Sequence, residues 1–296
     1  MTLNEWKNSG EYFAYGEHPV FYCRNFSGGD EVTLLLHGFP SSSFDYHKIW
    51  NALSEKFSLL AYDMIGYGFS AKPPNFSYTT FDQADLLEAL VRNLGVKSVH
   101  ILAHDYGNTI TQELLARKEE NRLNFEIGSI CMLNGALFPE THRPVLAQKI
   151  LISPAGFLFA KLISDKKFEQ SLSAIFGRET KPTKEELADF RAVFKYDQGK
   201  RIAHKLIRYM RERKIFRERW VSALQKTKIP FRFINGLDDP VSGAHLVRRF
   251  REIMPQTDIV ELPGIGHYPH FECPEKVLEL YFEFRSAMGY FSSVGT

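Results

Sequence analysis

The sequence predicts an α/β chain: a mostly parallel, doubly wound sheet with a helical segment inserted in its second half. Three observations predict it. Six short apolar runs recur along the chain, helix-like patterns separate most of them, and one long stretch has helix-like spacing but no strand-like run. Continuous apolar runs suit parallel strands covered on both faces. Their alternation with helices points to a layered sheet.

The elements follow in order. Residues 10–27 read as two short strands around a turn. The apolar runs are Val32–Leu36, Phe57–Tyr62, Ser98–Ala103, Ile127–Leu133, Phe231–Ile234 and Thr257–Glu261. Helical spacing covers Phe81–Leu94, Asn108–Lys118, Ala244–Met254 and Pro274–Met288. Residues 1–137 and 227–296 therefore form the sheet domain, and 138–226 are expected to form a helical lid. Open α/β sheets bind ligands beyond the carboxyl ends of their strands, where such a lid would sit.

Composition narrows the function. With 44% hydrophobic residues over 296 positions, the chain can bury a large core. A net charge of +2 argues against nucleic acid as a partner. Cys23, Cys131 and Cys273 are odd in number and far apart. They suggest reduced thiols and a cytoplasmic setting. The first residues lack the basic-then-apolar order of a signal peptide, and no run reaches the roughly 18 residues of a membrane span.

The chemistry begins at Asp105. Ala103-His104-Asp105-Tyr106-Gly107 sits between an apolar run and a helical pattern. Strand, polar residue among small ones, then helix is the layout of a nucleophile elbow, here with a carboxylate at its centre. Asp is ionised at neutral pH without help from a base, and the helix N-terminus favours its charge. Alone, Asp105 reads equally well as a helix N-cap. Two further pieces shift the balance. His37-Gly38-Phe39-Pro40 follows the Val32–Leu36 run, where hydrolases of this design carry half of an oxyanion hole. The backbone N–H groups of Phe39 and Tyr106 are the expected donors. An acid at Asp238-Asp239-Pro240 and a histidine at Gly266-His267 come later, and nucleophile, acid, histidine is the matching chain order.

On these motifs the chain resembles the α/β-hydrolase superfamily over nearly its whole length. The central Asp points to its epoxide hydrolase and haloalkane dehalogenase branch. A closer resemblance, to the family of mesoderm-specific transcript proteins, rests on residues 37–50, AHDYGN at 103–108, NGALFPETHRP at 134–144, RERW at 217–220, DPV at 239–241 and GHYP at 266–269. The resemblance implies a covalent route: Asp105 attacks an electrophilic carbon, and His267, oriented by Asp239, activates the water that frees the ester. Asp239 fits the family position better than Asp238, and His267 better than His270. Dehalogenases of the branch hold the halide with side-chain N–H groups at places occupied here by Tyr106 and Phe39, and Phe39 has none. Epoxide hydrolases protonate the leaving oxygen from the lid, usually with tyrosines. Tyr209, Tyr196 and, as a substitute, His204 are the candidates. The implied function is an epoxide hydrolase for a small apolar substrate. The alternatives are a haloalkane dehalogenase, an ester-cleaving or acyl-transferring enzyme, or a non-catalytic binding protein on the same fold. An ordinary esterase would need Ser or Cys at position 105.

Other signals are discounted. Gly66-Tyr67-Gly68-Phe69-Ser70-Ala71 matches a dinucleotide fingerprint, but Pro73-Pro74 blocks the helix it requires. His100 and His104 lie on a strand, so no metal is expected, and no cofactor. Residues 200–219 hold nine Lys or Arg against two Glu. That run would permit weak contact with an acidic membrane surface. It reads better as the solvated face of an amphipathic helix whose buried side is Ile202, Leu206, Tyr209, Met210, Ile215 and Phe216.

Overall fold

The computed structural model describes residues 1–26 and 31–289. Residue 27, the expected end of the second strand, lies outside them. Eight strands form one sheet: β1 (Glu11–Tyr15), β2 (His18–Asn25), β3 (Glu31–Leu36), β4 (Leu59–Tyr62), β5 (Ser98–Ala103), β6 (Glu126–Met132), β7 (Phe231–Gly236) and β8 (Asp258–Leu262). Their spatial order is β1-β2-β4-β3-β5-β6-β7-β8. β1 and β2 are antiparallel to each other, and β2 to β4; every other pairing is parallel.

The sheet is wound on both faces because successive strand residues point to opposite sides. Val32, Leu34 and Leu36 of β3 join one apolar cluster, with Leu86, Leu90 and Ile110 from the helices Thr80–Asn93 and Tyr106–Glu119. Leu35 joins the other, with Trp50, Leu280 and Phe284 from helices His47–Ser54 and Pro274–Ala287. Local chemistry sets the helix starts. Thr79 and Asp82 close a reciprocal capping box at the head of Thr80–Asn93.

Between β6 and β7 the chain is helical throughout, from the turn Pro139–Thr141 to the helix Arg217–Lys226. That last helix packs on Tyr106–Glu119 beside the sheet. Glu113, fully buried, accepts hydrogen bonds from Arg219 Nε at 2.8 Å and Trp220 Nε1 at 2.9 Å. Arg117 Nε donates to the same carboxylate at 2.9 Å. A buried carboxylate needs such partners, since charge without them is costly. RERW is therefore an anchor. The basic run 200–219 departs from the expected single helix. It breaks into a 3-10 turn ending at Ile202 and the helices Ala203–Leu206, Tyr209–Ile215 and the start of Arg217–Lys226. The break turns Ile215 outward, 70% exposed, against the expectation that it is buried.

Among the described residues no helix is long and apolar enough to cross a membrane. Their three cysteines are unpaired.

Candidate active site

Three loops at the carboxyl ends of the central strands converge on Asp105. The first follows β3. His37 accepts the Met64 N–H at Nε2, 3.1 Å, which leaves Nδ1 to donate to the Gly38 carbonyl at 2.9 Å. That pair fixes the loop carrying Phe39. Gly38 is required because a Cβ there would lie 2.6 Å from Asp105 Cβ. The second is the elbow after β5. Asp105 sits at φ 44°, ψ −103°, and its N–H donates to the Asn134 carbonyl at 2.7 Å. A Cβ on Gly107 would meet the Leu36 carbonyl oxygen at 2.4 Å, so strand and helix could not approach this closely with a larger residue.

Asp105 precedes the helix Tyr106–Glu119, yet its side chain makes no capping bond. The carboxylate instead accepts the Phe39 N–H at 3.0 Å through Oδ2. Arg213 approaches from the insertion. Its Nη2 lies 3.5 Å from Asp105 Oδ1 and donates to the Asp105 carbonyl at 3.1 Å. Arg213 Nε donates to Thr109 Oγ1 at 2.7 Å. Burial works against the Asp105 charge, but Arg213, His267 and the Phe39 N–H outweigh it and hold its pKa below the usual carboxylate value.

The third loop follows β8. His267 Nδ1–H donates to Asp239 Oδ2 at 2.7 Å. Asp239 also accepts from Val241 N at 2.7 Å, Ser242 Oγ at 2.5 Å and Asn134 Nδ2 at 3.0 Å. Burial disfavours both charges, yet each stabilises the other: the Asp239 pKa is lowered and that of His267 is raised. The negative Asp105 adds to the rise at His267.

Phe39 and His267 both line an apolar cavity of about 80 Å³. The rest of its wall comes largely from the insertion, including Leu151, Phe159, Phe168 and Leu172. Tyr209 is fully buried, stacks on Tyr106 at 4.3 Å and lies 6.2 Å from the Phe39 ring. Burial raises its hydroxyl pKa first, and the nearby Asp105 charge raises it further. That hydroxyl is close enough to the carboxylate for Asp105 to act on it, yet it has no well-formed hydrogen bond among the described residues. The Tyr106 hydroxyl is engaged elsewhere, donating to Thr80 Oγ1 at 3.3 Å.

The other lid candidates lie apart from this group. Tyr196 packs on Phe69 with Lys7 and Lys72 over its ring. His204 neighbours Phe157. Two residues at the site escaped the sequence reading. Tyr67 has a buried hydroxyl without a partner among the described residues and packs beside Phe39 and Tyr106. It comes from the Gly-Tyr-Gly turn, which indeed opens no helix. Arg213 was hidden in a basic run.

The family model described as alpha/beta hydrolase fold matches residues 32–274. The mesoderm-specific transcript protein of Mus musculus is 39% identical, across 96% of this chain and 88% of that protein. Among solved structures, haloalkane dehalogenase DbeA from Bradyrhizobium elkani superposes with a TM-score of 0.77 at 23% identity, over 94% of this chain and 99% of that one. The epoxide hydrolase CorEH gives a TM-score of 0.75 at 18% identity, with the same coverage of both chains. At those identities the two structures speak for the fold alone. With an elbow after β5, an acid after β7 and a histidine after β8, the chain belongs to the α/β-hydrolase fold family, in which it groups with the mesoderm-specific transcript proteins.

Proposed function

We propose that this α/β hydrolase works through a covalent ester on Asp105, with epoxides bearing an apolar group as substrates. The observation that carries the reading is the Asp105 carboxylate itself. It leaves its helix uncapped and accepts the Phe39 N–H, from a residue that lines the same apolar cavity as His267.

In the first step an Asp105 oxygen attacks an epoxide carbon, the carbon–oxygen bond opens, and Tyr209 gives its proton to the departing oxygen. A phenol suits this task because an alkoxide is the stronger base. The product is an alkyl ester of Asp105. Esterification removes the negative charge that helps keep His267 protonated. His267, still paired with Asp239, then gives up its proton to restore the Tyr209 phenol by way of solvent, and the neutral imidazole becomes the base for the second step. It takes a proton from water, and the hydroxide attacks the carboxyl carbon of Asp105. The resulting oxyanion is held by the Phe39 and Tyr106 N–H groups. Collapse releases a diol and restores Asp105 with one oxygen from water.

Epoxides rank ahead of alkyl halides for a stated reason. The places where dehalogenases present side-chain N–H groups hold Phe39, which has none, and Tyr106, whose hydroxyl serves Thr80. Tyr209→Phe is accordingly expected to slow epoxide opening by about 10²-fold, since it removes a general acid. Adduct formation with an alkyl halide of similar shape should change little, and equal losses on both would count against the assignment of Tyr209.

The decisive test is one turnover of a styrene-type or long-chain terminal epoxide in ¹⁸O-labelled water. The label should enter the Asp105 carboxylate, read by peptide mass spectrometry, while the first diol carries the original oxygen. Label passing straight into the diol would mean direct attack by water.

A further inference from the structure

Behind the elbow lies a second cluster that the proposed reaction does not use. Asp45, His104 and His270 are all fully buried or nearly so, and one ligand atom from each lies within 4.8 Å of the others. They come from three separate loops: the turn after β3, the elbow after β5, and the segment following His267.

The chemistry of each member suits a metal ion. His104 Nε2 sits 2.7 Å from the His267 carbonyl oxygen, so Nε2 carries the proton and donates. That tautomer leaves a lone pair on Nδ1, which is buried and has no hydrogen-bond partner among the described residues. Metal-bound histidines usually have their second nitrogen tied to a carbonyl in this way. His270 is stranger. Both of its ring nitrogens are buried without a partner among the described residues, while the ring stacks on Tyr46 at 4.7 Å and lies 4.8 Å from the His104 ring. A fully buried imidazole with no polar contact is costly unless something else occupies its lone pair. Asp45 supplies a carboxyl group that burial favours in its neutral form and that would lose its proton on taking up a metal, and Ser41 Oγ lies within hydrogen-bond reach of its Oδ2, the kind of support a ligating carboxylate receives.

We propose that Asp45, His104 and His270 bind a divalent first-row transition metal, with zinc the natural occupant. Two imidazoles and a carboxylate are borderline donors of the type zinc accepts, at about 2.0–2.2 Å from the metal. The three atoms need draw together only modestly to reach it. The sequence reading expected no metal because it weighed only His100 and His104, on a strand and without a metal-binding motif; Asp45, His104 and His270 are separated by 59 and 166 positions. The ion would be structural. It would bind together the loop of Phe39, the elbow of Asp105 and the loop of His267, the three segments whose spacing the proposed reaction needs.

The test uses the full-length chain without a histidine tag. After purification without chelator it should carry close to one equivalent of metal by plasma mass spectrometry, or take up one equivalent of added Zn²⁺. Replacement by Co²⁺ should give visible absorption bands typical of a low-coordinate site. Asp45→Asn, which keeps shape and polarity, should lower the affinity for Zn²⁺ at least tenfold. His270→Gln should do the same, and EDTA should lower Tm in the parent but not in these variants. Failure of the parent to retain Zn²⁺ or Co²⁺ overturns the proposal. So does retention of the same amount by Asp45→Asn and His270→Gln, which would mark an adventitious surface ion.

Discussion

Replacing Asp105 by Ala is expected to lower epoxide turnover by roughly 10⁴-fold or more, the scale seen when a covalent nucleophile is removed. The size follows from the site. Phe39 N–H and Arg213 both converge on this one carboxylate, and among the described residues no second acid side chain is bonded to those two donors. Losing it removes both half-reactions at once. The variant also leaves Arg213 buried without its counter-charge, so some stability is lost. Asp105→Asn controls for this. The amide keeps the volume and can still accept the Phe39 N–H, yet it does not attack carbon well. Both variants should bind an apolar epoxide in the cavity while failing to turn it over. A variant that folds and keeps more than a tenth of parental kcat would sink the covalent route.

His267→Gln should separate the halves of the reaction. Attack by Asp105 does not need His267 as a base, so a first, stoichiometric burst should survive. Hydrolysis of the ester does need it, and should slow by roughly 10⁴-fold. Intact-protein mass spectra should then gain the full mass of the epoxide, located on the peptide containing Asp105. Gln can still donate to Asp239, so the loop after β8 should hold its place. Turnover lost with no adduct, across a panel of epoxides and alkyl halides, would place His267 in the first step or outside the reaction.

The parts of the site that were legible in the sequence are those made by local chain geometry. The elbow announces itself because a strand must turn sharply into a helix, which demands small residues beside Asp105. Asp239 and His267 stand in order because each lies in the loop that follows a strand. Tyr209 could be named as a lid residue. What the sequence hid depends on contacts between distant segments. Arg213 sits in a basic run, and such runs usually face water; only the break after Leu206 turns one of those charges inward to Asp105. The same break spoils the helical period that would have buried Ile215. RERW could be quoted but not understood, since its partner Glu113 lies on another helix, 106 positions from Arg219. Tyr67 was masked by a glycine pattern with a different usual meaning.

Asn134 merits a last consideration. Its carbonyl takes the Asp105 N–H, and its amide reaches both Asp239 and Gly236. A single residue just past β6 thus bridges Asp105, the proposed attacking group, and Asp239, the acid proposed to align the imidazole. Because both segments are bonded to this one residue, a shift of that tip is expected to displace Asp105 and Asp239 together.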